Sequence, residues 1–381
     1  MNKYIAKTLY GLEPVLEKEL IKLGAKEVVR ANRAVVFAGD KELLYRVNYC
    51  SRTALSVLMS IAEFRIRSKD DLYRKASAIE WSEYFDPADT FSVVPVVNSN
   101  LFGHTGYPGL VVKDAIADYF RNKTGKRPSV KTTDPLILIN LHISNEEVTI
   151  SLDSSVIPLF KRGYRSEQGL APLNEVLAAG ILMLSGWDGR TTLMDPMCGS
   201  GTILIEAGLI AGSIPPGKFR QSFGFGKWKD FDSELFEKVR YDADSRVLPS
   251  GIRISGSDIS LQAVNLARAN IEKAGLSESI SVEVIDFKEI KPDVPPEFLI
   301  MNPPYGLRIK SEEIDKLYNM IGSTLKHNFP GCKAWVITSE REFLKNIGLK
   351  PKVKHTLFNG ALECVLAGYE MYEGSRKKND S

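Results

Sequence analysis

Cysteine and histidine are scarce in this chain, four of each in 381 residues. Cys50, Cys198, Cys332 and Cys364 form no CxxC pair and stand at no zinc spacing to a histidine. This excludes a disulfide framework and a structural zinc site, and no metal is expected. His104, His142, His327 and His355 form no constellation either. Long apolar runs are absent: none approaches the roughly 20 residues of a membrane span. The opening MNKYIAKTLYGLEP lacks the apolar core of a secretory signal. Together these absences predict a reduced, cytoplasmic protein with no membrane partner.

A large charge of one sign is missing too, since the net is only +3, but the charge is uneven. Residues 1–165 hold 24 Lys and Arg against 19 Asp and Glu, and the remainder holds 26 against 28. The basic excess of the first part fits either a nucleic-acid partner or a solvated surface.

What is present is ample apolar material, 44% of residues, enough for two or three domains with buried cores. Up to about residue 65 the pattern reads strand, helix, strand, helix. KYIAKTLY and AVVFAGD alternate as strands, LEPVLEKELIKLGA carries an apolar helical stripe, and KELLYRVNYCSRTALSVLM reads as helical. Residues 66–155 form a second α+β unit. DDLYRKASAI and VVKDAIADYFRNKTG are its helices; FSVVPVVNS, LILINLHIS and EVTISLD are its strands, with Asn145-Glu146 at a turn. Arg121, Lys123, Lys126, Arg127 and Lys131 cluster within this unit. From about residue 170, strands and helices alternate as in a doubly wound α/β sheet. KVKHTLF and ALECVLAGYEMY end it as an antiparallel edge pair. The stretch 212–250 is an insertion with one helix, and the polar tail GSRKKNDS is expected to be disordered.

The stretch DPMCGSGTILIEA, residues 195–207, places a Gly-rich turn after the first strand of that sheet. A phosphate loop needs a Lys after the last Gly, and none follows Gly201. A dinucleotide fingerprint needs a third Gly, and position 204 is Leu. An S-adenosylmethionine site fits better. An acidic residue, Asp195, precedes the turn and suits the positively charged amino-acid end of that molecule. Asp258 ends the next strand, where a carboxylate can accept from both ribose hydroxyls. Asp286 ends the one after and can accept from the adenine amine, with Phe287 beside the ring. Each aspartate alone is often a helix cap; three in order carry more weight.

NPPYGLR, residues 302–308, follows the buried run FLIM and so lies where α/β sheets place ligands. An amine on a planar base is a poor nucleophile because its lone pair is delocalised. The side-chain oxygen of Asn302 and the carbonyl of Pro303 can both accept hydrogen bonds from such an amine. Pro304 stiffens the loop, and Tyr305 can stack on a base taken out of its helix or from a single strand. On the residues alone, guanine N2 and adenine N6 both remain open as the target.

DPMCGSGTILIEA, GSDIS and NPPYGLR together resemble class I methyltransferases that modify exocyclic nitrogens. The region 111–153 resembles a THUMP RNA-binding domain. FKRGYRSEQGLAPLNEVLAAGILMLSGW resembles the linker that joins THUMP to a catalytic domain, and NGALEC near the end also fits. Over essentially its whole length the chain is similar to bacterial THUMP-containing RNA methyltransferases that act on guanine N2 of 23S rRNA. One departure is Phe160, where relatives commonly carry His.

The resemblance implies a Rossmann-like, seven-stranded class I methyltransferase domain over 175–373. It implies a ferredoxin-like domain over 1–65, THUMP over 66–155, a linker over 156–174 and a tail over 374–381. Pro196, Cys198, Gly199, Ser200, Gly201, Thr202, Ile259 and Asn302 would join the three aspartates around S-adenosylmethionine, with S-adenosylhomocysteine as product. Cys198 would line the turn without acting as a nucleophile. Pro172, Asn174 and Glu175 would close over the cofactor, or Asn174 and Glu175 would only start a helix. Lys161, Arg162 and Arg165 would contact RNA phosphates, Tyr164 would pack at the domain joint, and Arg308 would touch the substrate backbone. The cluster Arg121–Lys131 would supply electrostatic affinity. The expected partner is structured RNA, and the expected state a monomer or weak homodimer. A tRNA, a DNA adenine, a protein amide or a purely structural role in ribosome assembly are the competing readings.

Overall fold

The computed structural model describes residues 1–165, 173–249, 251–304 and 311–372. It divides into two compact units, one of residues 1–8, 17–161 and 220–242, the other of residues 9–16, 162–219 and 243 onward. Among the described residues no helix is long and apolar enough to cross a membrane.

The first unit is built on one eight-stranded sheet. Its strands are β1 (Asn2–Lys7), β2 (Lys26–Ala31), β3 (Ala34–Gly39), β4 (Ser56–Arg65), β5 (Thr90–Asn98), β6 (Ser129–Val130), β7 (Ile137–Ser144) and β8 (Glu147–Asp153). They lie in the order β2-β3-β1-β4-β8-β7-β5-β6. The helices in this stretch of chain are α1 (Glu13–Leu23), α2 (Lys41–Cys50), α3 (Lys69–Ser77) and α4 (Tyr107–Thr124). Two elements differ from the sequence expectation. The helix expected to run from Lys41 to Met59 stops at Cys50, and the chain re-enters the sheet as β4. Val57 and Leu58 are buried there, and β4 pairs antiparallel with both β1 and β8. Strand β2 carried no alternating signal, because it is an edge strand almost wholly exposed. The ferredoxin-like and second α+β regions therefore share one continuous sheet, joined along β4 and β8.

Residues 220–242 belong to this unit although sequence order puts them inside the catalytic region. They include most of α7 (Ser233–Asp244). Four of their phenylalanines explain the placement. Phe225 lies 4.5 Å from Tyr45 of α2 and is stacked on Phe223, and Phe231 and Phe236 complete the cluster. Burial of aromatic rings of this size outweighs proximity in sequence.

The second unit holds a seven-stranded sheet in the order β11-β10-β9-β12-β13-β15-β14. Its strands are β9 (Leu193–Asp195), β10 (Ile254–Asp258), β11 (Ile280–Val284), β12 (Phe298–Met301), β13 (Lys333–Thr338), β14 (Val353–Asn359) and β15 (Leu362–Glu370). Its helices are α5 (Glu175–Leu184), α6 (Thr202–Ala211), α8 (Leu261–Lys273) and α9 (Ser311–Asn328). Strand β15 is the antiparallel member and inserts between β13 and β14, so β14 forms the edge. The strand order reverses at β9, with β10 on one side and β12 on the other. Ligands of open α/β sheets bind at the strand C-termini beside such a reversal.

Apolar burial holds this unit together. Ile203, Leu204, Ile205 and Leu209 of α6 are at most 2% exposed. Burial of each such side chain is worth about 1.5–3 kcal/mol. Gly322 in α9 permits a close approach: a Cβ there would stand 1.8 Å from the Ile347 carbonyl oxygen.

Candidate functional site

The sheet brings four of the sequence-predicted residues to neighbouring strand ends. Asp195 ends β9 and Asp258 ends β10. Asp286 follows β11 by two residues, and Asn302 follows β12 directly.

The turn after β9 is held from below and open above. Asp195 Oδ1 accepts from the Met197 N–H at 3.1 Å. The Cys198 N–H donates to Ser257 O at 2.9 Å, and Ser257 Oγ donates to Pro196 O at 3.3 Å. Asn270 Nδ2 donates to Ser200 O at 3.1 Å, which ties the turn to α8. Gly199 and Gly201 have φ of 52° and 80°, the left-handed region that suits glycine. A Cβ on Gly199 would meet nothing within 4 Å, whereas one on Gly201 would stand 3.2 Å from Ala267 Cβ. The first glycine thus faces open space, and the second allows helix packing. Gly201 is the N-cap of α6 and offers no side-chain hydrogen bond. The first N–H groups of that helix stay available for an anion.

Asp258 belongs to the same turn. Its Oδ2 accepts from the Gly199 N–H at 3.0 Å and its Oδ1 from the Ser260 N–H at 2.9 Å. Beside it Ile259 is 72% exposed, an apolar surface at the strand end that the described residues leave uncovered. Burial pushes the Asp195 carboxyl up to about 8, the Asp258 charge adds to that, and the Met197 N–H opposes it. Burial also pushes the Cys198 thiol up, far from the thiolate form, so a nucleophilic role has no support.

Asp286 accepts from the Lys288 N–H at 3.2 Å and pairs with Lys288 Nζ at 2.8 Å. Phe287 departs from expectation. It is 2% exposed and packs 5.5 Å from Phe329 in the core under α9, so its ring is closed to an adenine. Asn302 Oδ1 is buried and has no hydrogen-bond partner among the described residues. Pro303 is buried and Pro304 exposed. Tyr305, Arg308 and Pro172 lie outside the described residues, as does the tail 374–381.

The basic linker is corrected most. Arg162 is 1% exposed, and its Nε lies 3.3 Å from Oε1 of Glu206, which is fully buried in α6. The Tyr164 hydroxyl donates to the same Glu206 oxygen at 3.2 Å. Arg165 donates through Nε to Glu175 Oε1 at 2.5 Å, and through Nη2 to Leu173 O and to Thr202 Oγ1 at 2.6 and 3.1 Å. Arg162 therefore has no open face for a phosphate, and Arg165 braces the starts of α5 and α6. Lys161 alone of the linker cations is exposed. Asn174 caps α5, accepting from the Val176 and Leu177 N–H groups. Burial raises the Glu175 carboxyl, with Arg165 opposing.

Glu206 and Asn270 were missed as site residues. Each carries a signal: Glu206 is the lone acid in the otherwise apolar TILIEAGLIA, and Asn270 falls beside the buried positions Val264, Ala267 and Ile271 of α8. A polar residue among such neighbours needs a buried partner.

In the first unit the cations of the expected RNA patch are largely matched. Arg121 pairs with Asp118, Lys123 with Glu80 at 2.7 Å, Arg127 with Asp114 at 3.8 Å and Lys131 with Asp134 at 4.0 Å. The patch is less positive than its Lys and Arg count implied.

Comparison with known proteins matches three parts of this architecture. Residues 162–368 match the family described as RMKL-like, methyltransferase domain. Residues 67–153 match the THUMP domain and residues 3–58 the RlmL ferredoxin-like domain. The chain is 38% identical to a Synechocystis protein named "Putative RNA methyltransferase slr0064", over 97% of both chains. It is 40% identical to the ribosomal RNA large subunit methyltransferase K/L of Methylococcus capsulatus, over 93% of this chain and 49% of that protein. It thus spans about half the length of the K/L relatives it matches. A crystal structure of SMU.472, described as "a putative methyltransferase complexed with SAH", superposes with a TM-score of 0.88 at 28% identity, covering 98% of this chain and 99% of that one.

Proposed function

The chain belongs to the RMKL-like methyltransferase family, and on that premise we propose that it methylates the exocyclic N2 of a guanine in RNA, with 23S rRNA as the substrate. The observation that carries this reading is Oδ1 of Asn302 at the end of β12, buried and without a hydrogen-bond partner among the described residues. A buried acceptor left unsatisfied is costly, so this oxygen suits the N–H of a bound base.

S-adenosylmethionine, when bound, supplies a methyl group on a positively charged sulfonium. The residues present fit it. Asp195 would hold its ammonium, the start of α6 its carboxylate, Asp258 its ribose hydroxyls and Ile259 its adenine face. Asn302 Oδ1 and the Pro303 carbonyl accept from the N2 amine of a guanine extruded into the pocket. Those bonds would localise the nitrogen lone pair and aim it at the transferable methyl group, and the amine proton would leave to solvent. Catalysis by this route rests on positioning. Tyr305 would stack on the base.

The test is to incubate the purified protein with labelled S-adenosylmethionine and, separately, 23S rRNA, tRNA and DNA, then to digest and identify the labelled nucleoside. N2-methylguanosine from 23S rRNA, lost in Asn302→Ala, supports the reading. Label in tRNA alone, or in N6-methyladenine of DNA, overturns the substrate assignment.

A further inference from the structure

A cavity of about 390 Å³ opens between α3 and α4 of the first unit, whereas the strand ends described above belong to the second. Small-ligand sites begin near this size. One wall is a stripe of α4: Tyr107, Val111, Asp114, Asp118 and Arg121 recur every three to four residues and so share a face. Tyr73 of α3 lines the opposite wall, and Arg127 stands at the rim. Tyr73 and Tyr107 are 38% and 42% exposed, so both rings offer apolar surface to a ligand in the cleft. The charges balance, with three cations and three carboxylates lining the space. A balanced cleft with aromatic walls suits a neutral polar ring better than a free anion.

The two carboxylates of the stripe differ. Asp118 is engaged on both oxygens, by the Tyr73 hydroxyl at 2.7 Å and by Arg121. The ion pairs of Asp114, with Lys113 at 2.9 Å and Arg127 at 3.8 Å, are both measured to Oδ1. These exposed pairs are worth little and exchange readily for a ligand. Among the nucleobases only guanine presents two adjacent N–H donors, N1 and N2, to a carboxylate. Its O6 and N7 are the acceptors that arginine prefers.

We propose that this cleft binds an unpaired guanine of single-stranded RNA, with Asp114 on its N1–H and N2–H edge, Arg127 toward O6 and N7, and Tyr107 against its ring. The inference rests on RNA being the partner, but it concerns a second site in the other unit. A guanine held here anchors the substrate without being methylated.

The experiment uses the full chain and fluorescein-labelled heptauridylates carrying one central guanine, inosine or adenine, read by fluorescence anisotropy. Inosine lacks only the N2 amine. The expected result is about tenfold tighter binding of the guanine oligomer than of the other two. Asn302→Ala keeps this preference, Asp114→Asn abolishes it at unchanged thermal midpoint, and Tyr107→Ala weakens all three about tenfold. Equal binding of the three oligomers by the unaltered protein overturns the cleft. So does a preference that survives Asp114→Asn but disappears in Asn302→Ala, which places it in the methylation pocket. Binding of no RNA at all overturns the RNA reading, and the cleft with it.

Discussion

The backbone N–H of Gly199 donates to Oδ2 of Asp258 at 3.0 Å, so the second strand end holds the glycine turn of the first. One carboxylate both shapes the turn and, in the proposed site, faces the cofactor ribose. Loss of a hydrogen bond to a charged group costs about 1.5–3 kcal/mol. Asp258→Ala is expected to weaken S-adenosylmethionine binding by at least tenfold in titration calorimetry. The thermal midpoint of the free protein should fall by only a few degrees.

Asn302 tests whether chemistry separates from cofactor binding in the proposed site. Its amide oxygen lies at the end of β12, without a partner among the described residues. Asn302→Ala is expected to lower single-turnover methyl transfer by about two orders of magnitude, by analogy with loss of one transition-state hydrogen bond. S-adenosylmethionine affinity should stay within about threefold. A matching loss of cofactor affinity would contradict this assignment.

The Arg162–Glu206 pair predicts a stability effect without an RNA effect. Both side chains are at most 1% exposed. Removing one partner of a buried pair costs about 3–5 kcal/mol. Arg162→Met should therefore lower the thermal midpoint clearly, while the double variant Arg162→Met, Glu206→Leu recovers much of it. RNA affinity of the folded fraction should not change. A loss of RNA affinity with no loss of stability would restore the phosphate contact.

Asp195 is expected to make the site pH-sensitive. Its carboxyl is raised from about 3.8 in the ordinary case to about 8 by burial. Between those values the folded chain holds a proton that the unfolded chain has lost. Its contribution to stability therefore declines as pH rises through that window and levels off above about 8. A cationic cofactor end favours the ionised form. S-adenosylmethionine affinity is expected to rise from pH 6 to pH 8, with proton release near pH 7. Calorimetry in buffers of different ionisation enthalpy reads that release, and Asp195→Asn should remove it.

Much of the site could be read in the sequence because its signals are local. A strand of apolar residues that ends in a carboxylate, followed by small residues and a helix, announces Asp195 and its turn. The same period-based reasoning places Asp258, Asp286 and Asn302. Phe287 shows the limit. It stands beside Asp286 in the chain, but Asp286 caps a short 3-10 turn, Phe287–Glu289, that sends the ring into the core against Phe329. Linear adjacency does not say which way a side chain faces.

The sequence by itself determined the alternation of strands and helices in the second unit, the glycine turn, the acidic strand ends and the Asn-Pro-Pro stretch. Each follows from backbone geometry and side-chain periodicity over a few residues. Only the tertiary structure decided that β4 is a strand, that residues 220–242 join the first unit, and that Arg162 is internal. Strand β4 is stabilised by ladders on both sides, from β1 and β8. Phe225 finds Tyr45 180 positions away in the chain, and Arg162 finds Glu206 across 44. Burial and charge pairing of this kind depend on which distant segments share a core, and no local pattern encodes that.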